Sequence, residues 1–121
     1  KIVLFGSAGV TGMKIIEEAI EQGVKLIAAV KNPELLRQYK EKIEIRKIDH
    51  DNIETIESAM KDANAVILSF GADLVEMRNK SLVFGATTSI ILDCMHKLGI
   101  KRGIFITSLG VEFVRLKIIF I

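Results

Sequence analysis

The sequence predicts a doubly wound parallel α/β sandwich. Three observations carry this reading. Short apolar runs rich in branched residues alternate with amphipathic segments, a glycine-rich turn joins the first run to the first amphipathic segment, and 121 residues with a single proline suit one well-packed domain. Half of the residues are hydrophobic, which argues against disorder.

The first strand is expected over residues 1–5 (KIVLF), followed by a helix from Thr11 to Gln22. In that helix Met13, Ile16, Ala19 and Ile20 share one face, Lys14, Glu17, Glu18 and Glu21 sit opposite, and Gly23 stops it. Residues 24–30 (VKLIAAV) form the second strand. A short helix follows from Pro33 to about Lys40, because proline is favoured in a first turn. Residues 43–48 (IEIRKI) form the third strand. Asp51 with Glu54 three residues later resembles a capping box, and Ile53, Ile56, Met60 and Ala63 then repeat at helical spacing. The fourth strand is expected at 64–70 (NAVILSF). A fourth helix from about Lys80 to Leu98 puts Val83, Ala86, Ile90, Cys94 and Leu98 on one stripe and ends at Gly99, before a fifth strand at 101–107 (KRGIFIT). With right-handed crossovers the sheet order is 3-2-1-4-5, and ligands belong at the carboxyl ends of strands 1 and 4, where the winding reverses.

Composition excludes several classes of function. A net charge of +2, with Lys and Arg interleaved among Asp and Glu, gives no nucleic-acid surface. The longest uncharged stretches, Ala63–Ala72 and Ser81–Leu92, fall well short of the roughly 20 apolar residues that span a bilayer. One cysteine, Cys94, forbids an internal disulfide, and nothing ahead of the first strand reads as a signal peptide, so a cytoplasmic protein is expected. His50, His96 and Cys94 have no zinc spacing, and no metal is expected.

Chemistry concentrates in G-S-A-G-V-T-G, where Gly6, Gly9 and Gly12 stand three residues apart between a strand and a helix. Gly6 suits the tight turn, Gly9 a close approach of backbone to a pyrophosphate, and Gly12 close packing of helix on strand. Free amides in the first helical turn favour an anion there. Gly6, Ser7, Ala8, Gly9, Val10, Thr11 and Gly12 are therefore the candidate phosphate cradle of a Rossmann-like three-layer sandwich, with Ser7 and Thr11 adding hydroxyl donors. A plain βα turn would usually need only one glycine.

This G-x-x-G-x-x-G spacing, with AVKNP at 29–33, IDHDN at 48–52, ILSFGA at 67–72 and GIKRGIFITSLG at 99–110, resembles the atypical short-chain dehydrogenase/reductase group. The similarity is greatest to its NAD(P)H-binding family, which includes the NmrA-like regulators and the biliverdin reductase B (flavin reductase) type. The resemblance implies a dinucleotide cofactor. It also implies that Asp49 and His50 approach the adenine, that Ser69, Phe70, Gly71 and Ala72 lie beside the riboses, and that Thr107 and Ser108 lie near the nicotinamide, with Ser108 in the active site. For Asp49 a plain turn or helix-start role stays open. For Thr107 and Ser108 the alternative is satisfying backbone at a strand end.

An NAD fingerprint places Asp or Glu at the end of the second strand, and here that place holds Lys31. Lys31 is either a partner for a 2′-phosphate, which makes NADP the expected cofactor over NAD, or a solvated strand-end lysine. The Tyr-x-x-x-Lys pair of carbonyl-reducing relatives is missing, since four residues after Tyr39, the one tyrosine, stands Ile43. The expected function is an oxidoreductase passing hydride to a small acceptor such as a flavin or quinone. The alternative is a non-catalytic, redox-sensing dinucleotide-binding regulator. Residues 1–110 are expected to form the cofactor domain. Residues 111–121, in which Val114, Leu116, Ile118 and Phe120 alternate with Arg115 and Lys117, are expected to pack on the sheet or on a second subunit in a homo-oligomer.

Overall fold

A computed structural model describes residues 1–69 and 87–106 of the chain. The elements in order are β1 (Ile2–Phe5), α1 (Val10–Gln22), β2 (Leu26–Val30), a 3₁₀ helix (Pro33–Tyr39), β3 (Glu44–Lys47), α2 (Ile53–Met60), β4 (Ala65–Leu68), α3 (residues 87–98) and β5 (Arg102–Phe105). The five strands form one parallel sheet in the order β3-β2-β1-β4-β5, as expected. Ile2 pairs with Leu26 on one side and Ala65 on the other, so β1 is the central strand.

Alternation along the central strands divides the core in two. Val3 and Phe5 of β1, Ile27 and Ala29 of β2, and Val66 and Leu68 of β4 pack with Ile56, Ala59 and Met60 of α2 and Ile91, Cys94 and Met95 of α3. On the other face Leu4, Leu26, Ala28 and Val30 pack with Ile16 and Ala19 of α1 and Leu36 and Tyr39 of the 3₁₀ helix. Because both faces of β1 and β2 are covered, their sequences read as unbroken apolar runs instead of alternating ones. Each fully buried Leu or Ile in such a core is worth about 2–5 kcal/mol against truncation to alanine.

Helix ends follow local chemistry. At the end of α1 the Gly23 amide donates to the Ile20 carbonyl and the Val24 amide to that of Ala19, the paired arrangement that terminates a helix in a left-handed residue. The helix after β2 is a 3₁₀ helix bent at Leu36, with Asn32 capping the Glu34 amide and Pro33 in its first turn. The cap of α2 corrects the sequence expectation. Asn52, not Asp51, holds the cap position and accepts from the Glu54 amide at 3.2 Å. The reason lies one turn earlier: the Asp49 carboxylate takes the Asp51 amide at 2.9 Å, which reverses the chain before the helix starts.

Further ties join the layers. The buried Tyr39 hydroxyl donates to Glu17 of α1 at 3.0 Å, and burial, then this carboxylate, push the phenol's pKa up. Burial likewise raises that of the Cys94 thiol, which sits in the core beneath α3. Among the described residues no helix is long and apolar enough to cross a membrane.

Candidate functional site

The carboxyl ends of β1 and β4 lie side by side, and α1 and α3 pack on opposite faces of the sheet. At this point Gly6 has φ 77°, a left-handed turn that any side chain would strain. The Gly9 amide closes onto the Gly6 carbonyl at 3.4 Å, and α1 begins at once.

The other two glycines differ in what requires them. A Cβ on Gly12 would sit 2.1 Å from the Gly6 oxygen and 2.8 Å from the Ser7 Cα, so the fold itself demands glycine there. A Cβ on Gly9 would meet only the Gly6 oxygen, at an ordinary 3.6 Å, and Gly9 has an unremarkable φ of −77°. Among the described residues nothing requires glycine at position 9. Its bareness fits a group brought up from outside.

That bareness continues in the helix. The first turn of α1 has no side-chain cap and no acidic residue, although Asp, Asn, Ser and Thr are the usual occupants of a cap. Its amides are left for an external acceptor, in the field of the positive end of a 13-residue helix. Gly9, Val10 and Thr11 are exposed, and Ala8 is half-buried.

Ser7 departs from its expected role. Its side chain is buried and its Oγ donates to the Ala29 carbonyl at 2.9 Å, so its one proton ties the turn to β2. It is not free to be offered to a phosphate. Thr11 keeps an exposed position.

Across the switch point, the Ser69 amide donates to the Phe5 carbonyl at 2.9 Å, which sets Ser69 beside Gly6. Ser69 is only 3% exposed, and among the described residues its Oγ has no hydrogen-bond partner. A buried hydroxyl without a partner is costly, so an orphan at a ligand-facing strand end fits a group that supplies the missing bond.

Lys31 directly follows β2 and is exposed, and among the described residues no carboxylate pairs with it. The nearest acid in sequence, Glu34, faces Arg37 at 3.8 Å. Asp49 is exposed after β3 and His50 is half-buried beside it in sequence. Asp49 has the turn role left open for it, since its carboxylate accepts the Asp51 amide at 2.9 Å, and the residue stays exposed. Sequence reasoning missed Thr55, whose Oγ1 accepts the Asp49 amide at 2.9 Å and binds the Asn52 carbonyl at 2.7 Å. A threonine three residues past an Asx cap was the available signal. Phe70, Gly71, Ala72, Thr107, Ser108 and the 111–121 segment lie outside the described residues.

A family model described as NAD(P)H-binding matches residues 6–117. The chain belongs to the NAD(P)H-binding family. No curated protein matches it. Among solved structures it is similar to an anaerobillin reductase from Escherichia coli O157:H7, with TM-score 0.70 and 20% identity over 90% of this chain and 51% of that one. It is also similar to an NADPH-dependent quinone oxidoreductase from Escherichia coli complexed with NADPH, with TM-score 0.69 and 16% identity over 87% and 36% of the two chains. A nucleoside-diphosphate-sugar epimerase from Staphylococcus aureus gives TM-score 0.70 and 22% identity over 87% and 37%. The chain spans about half or less of these relatives, and likeness at such identities establishes the Rossmann-like fold.

Proposed function

We propose that this member of the NAD(P)H-binding family binds NADP(H) in preference to NAD(H) and serves reduction of a small acceptor such as a flavin or quinone. One observation carries the cofactor choice. Where an NAD fingerprint has an acidic residue for the ribose 2′-hydroxyl, β2 is followed directly by an exposed lysine that no carboxylate neutralises among the described residues.

The residues divide the work. The first-turn amides of Val10 and Thr11, beside the bare Gly9, hold the pyrophosphate, Lys31 pairs with the 2′-phosphate, Asp49 and His50 border the adenine, and Ser69 bonds a ribose. Phe70, Gly71 and Ala72 continue the ribose wall, and Thr107 and Ser108 orient the nicotinamide side, all five by resemblance. When bound, the nicotinamide supplies the hydride, so the protein needs to position the reactants more than to donate a proton. One similar structure is named as a reductase and another as a quinone oxidoreductase complexed with NADPH, which supports the reading.

The test is a parallel titration with NADPH and NADH, followed by loss of NADPH absorbance on adding flavin or quinone. Tighter NADPH binding with turnover is expected. Equal or tighter NADH binding would overturn the cofactor assignment, and a Lys31→Asp variant should reverse the preference.

A second reading, a dinucleotide-binding regulator without catalysis, is favoured by Tyr39. The one phenol in the chain is held by Glu17, in the layer beneath the sheet. Tight NADPH binding without turnover would select this reading.

A further inference from the structure

The segment after β3 is held by a bracket of bonds that the phosphate cradle does not use. At the start of α2, Thr55 Oγ1 accepts the Asp49 amide at 2.9 Å and shares its proton between the carbonyls of Asn52 at 2.7 Å and Asp49 at 3.1 Å. The Asn52 amide returns to the Asp49 carbonyl at 3.0 Å. At the far end of α2, Arg46 of β3 donates through Nη1 to the carbonyls of Ser58, Ala59 and Lys61 at 3.1–3.2 Å. Glu44 holds the same guanidinium at 2.7–2.8 Å.

Both ends of α2 are thus fastened to β3 or to the residues just past it, and the short connection 48–52 is closed between them. Fixing one residue's backbone costs about 1–2 kcal/mol of conformational entropy, which a loop ordered in advance does not have to lose on binding. The bonds of Thr55 and of the Asn52 amide thus converge on the Asp49 backbone, while Asp49 itself stays exposed.

We propose that Thr55 is a positioning residue for the adenine half of the cofactor: it fixes the Asp49 backbone so that the exposed Asp49 carboxylate meets the exocyclic amine of the base. This rests on the proposed reading that Asp49 borders the adenine. Thr55 touches no cofactor atom itself.

The experiment uses the intact chain, NADPH, and adenosine 2′,5′-bisphosphate, which carries the adenine half alone. Thr55→Val should weaken both ligands by the same factor, about five- to tenfold for the loss of a hydrogen-bonded brace. Thr55→Ser, which keeps the hydroxyl, should restore binding. In an Asp49→Ala background, Thr55→Val should weaken binding no further, because its effect passes through Asp49. A thermal melt of each variant separates folding from binding, and Thr55→Ser supplies the comparison if Thr55→Val is poorly folded. Equal losses from Thr55→Val with and without Asp49 would overturn the positioning role while leaving the adenine reading intact. If Asp49→Ala alone leaves both affinities unchanged, the adenine reading fails and the proposal falls with it.

Discussion

Gly9→Asp should move stability and binding in opposite directions. Gly9 occupies the cap position of α1 with extended dihedrals of −77° and 170°, its Cβ direction is open apart from an ordinary contact at 3.6 Å, and the first turn holds neither a side-chain cap nor an acid. An aspartate fits there without strain and can accept one of the open amides. Against glycine that cap is worth a few tenths of a kcal/mol, and a negative charge at the helix N-terminus adds about 0.3–1 kcal/mol. The apo protein should therefore melt slightly higher. A pyrophosphate on the same amides would meet the new carboxylate at close range. Two unit charges 4 Å apart repel by about 1 kcal/mol in water and about 4 kcal/mol near a protein surface, so two phosphate charges cost at least about 2 kcal/mol, roughly thirtyfold in affinity. Thermal melts at low salt and a fluorescence titration with NADPH read the two effects. A variant that is as stable as the parent and binds NADPH unchanged would remove the phosphates from this helix end.

Gly12→Ala presents the converse case, since its Cβ would fall 2.1 Å from a backbone oxygen that cannot swing away; a loss of about 3 kcal/mol or more is expected in a denaturant melt. Ser7→Ala should cost about 1–3 kcal/mol by freeing a buried carbonyl at Ala29, again read by denaturation. Tyr39 gives a pH dependence. Its folded-state pKa lies above the ordinary 10.0, so the folded chain holds the phenolic proton more tightly than the unfolded chain. Stability is full below pH 10 and declines as the pH rises through the folded value. Tyr39→Phe should lose about 1 kcal/mol at neutral pH and flatten that alkaline decline in melts run from pH 8 to 11.

The strand order was readable because β1 and β2 are buried on both faces, which leaves a run such as L-I-A-A-V with no polar residue to disguise it. Gly23 and Pro33 were equally plain, since each acts through its own backbone. The cap of α2 was not, because Asp49 outcompetes the helix for the Asp51 amide, and two acids flanking His50 give one pattern for either outcome. Within the cradle, sequence spacing revealed three glycines but not their division of labour: position 12 is compelled by contacts and position 9 is not. Ser7 misled for a related reason. A hydroxyl beside a phosphate turn looks like a donor to the ligand until the carbonyl of a strand 22 residues away is seen to claim it.

That Ser7–Ala29 bond works as a ruler. It clamps the turn proposed to carry the pyrophosphate to a strand that ends one residue later, at Val30, with Lys31 next in line. On the proposed reading, the spacing between the bridge of the dinucleotide and its distal ribose is thereby built into the sheet, not left to a flexible loop. Selectivity between the two cofactors would then be a matter of the charge mounted at one end of a fixed scale.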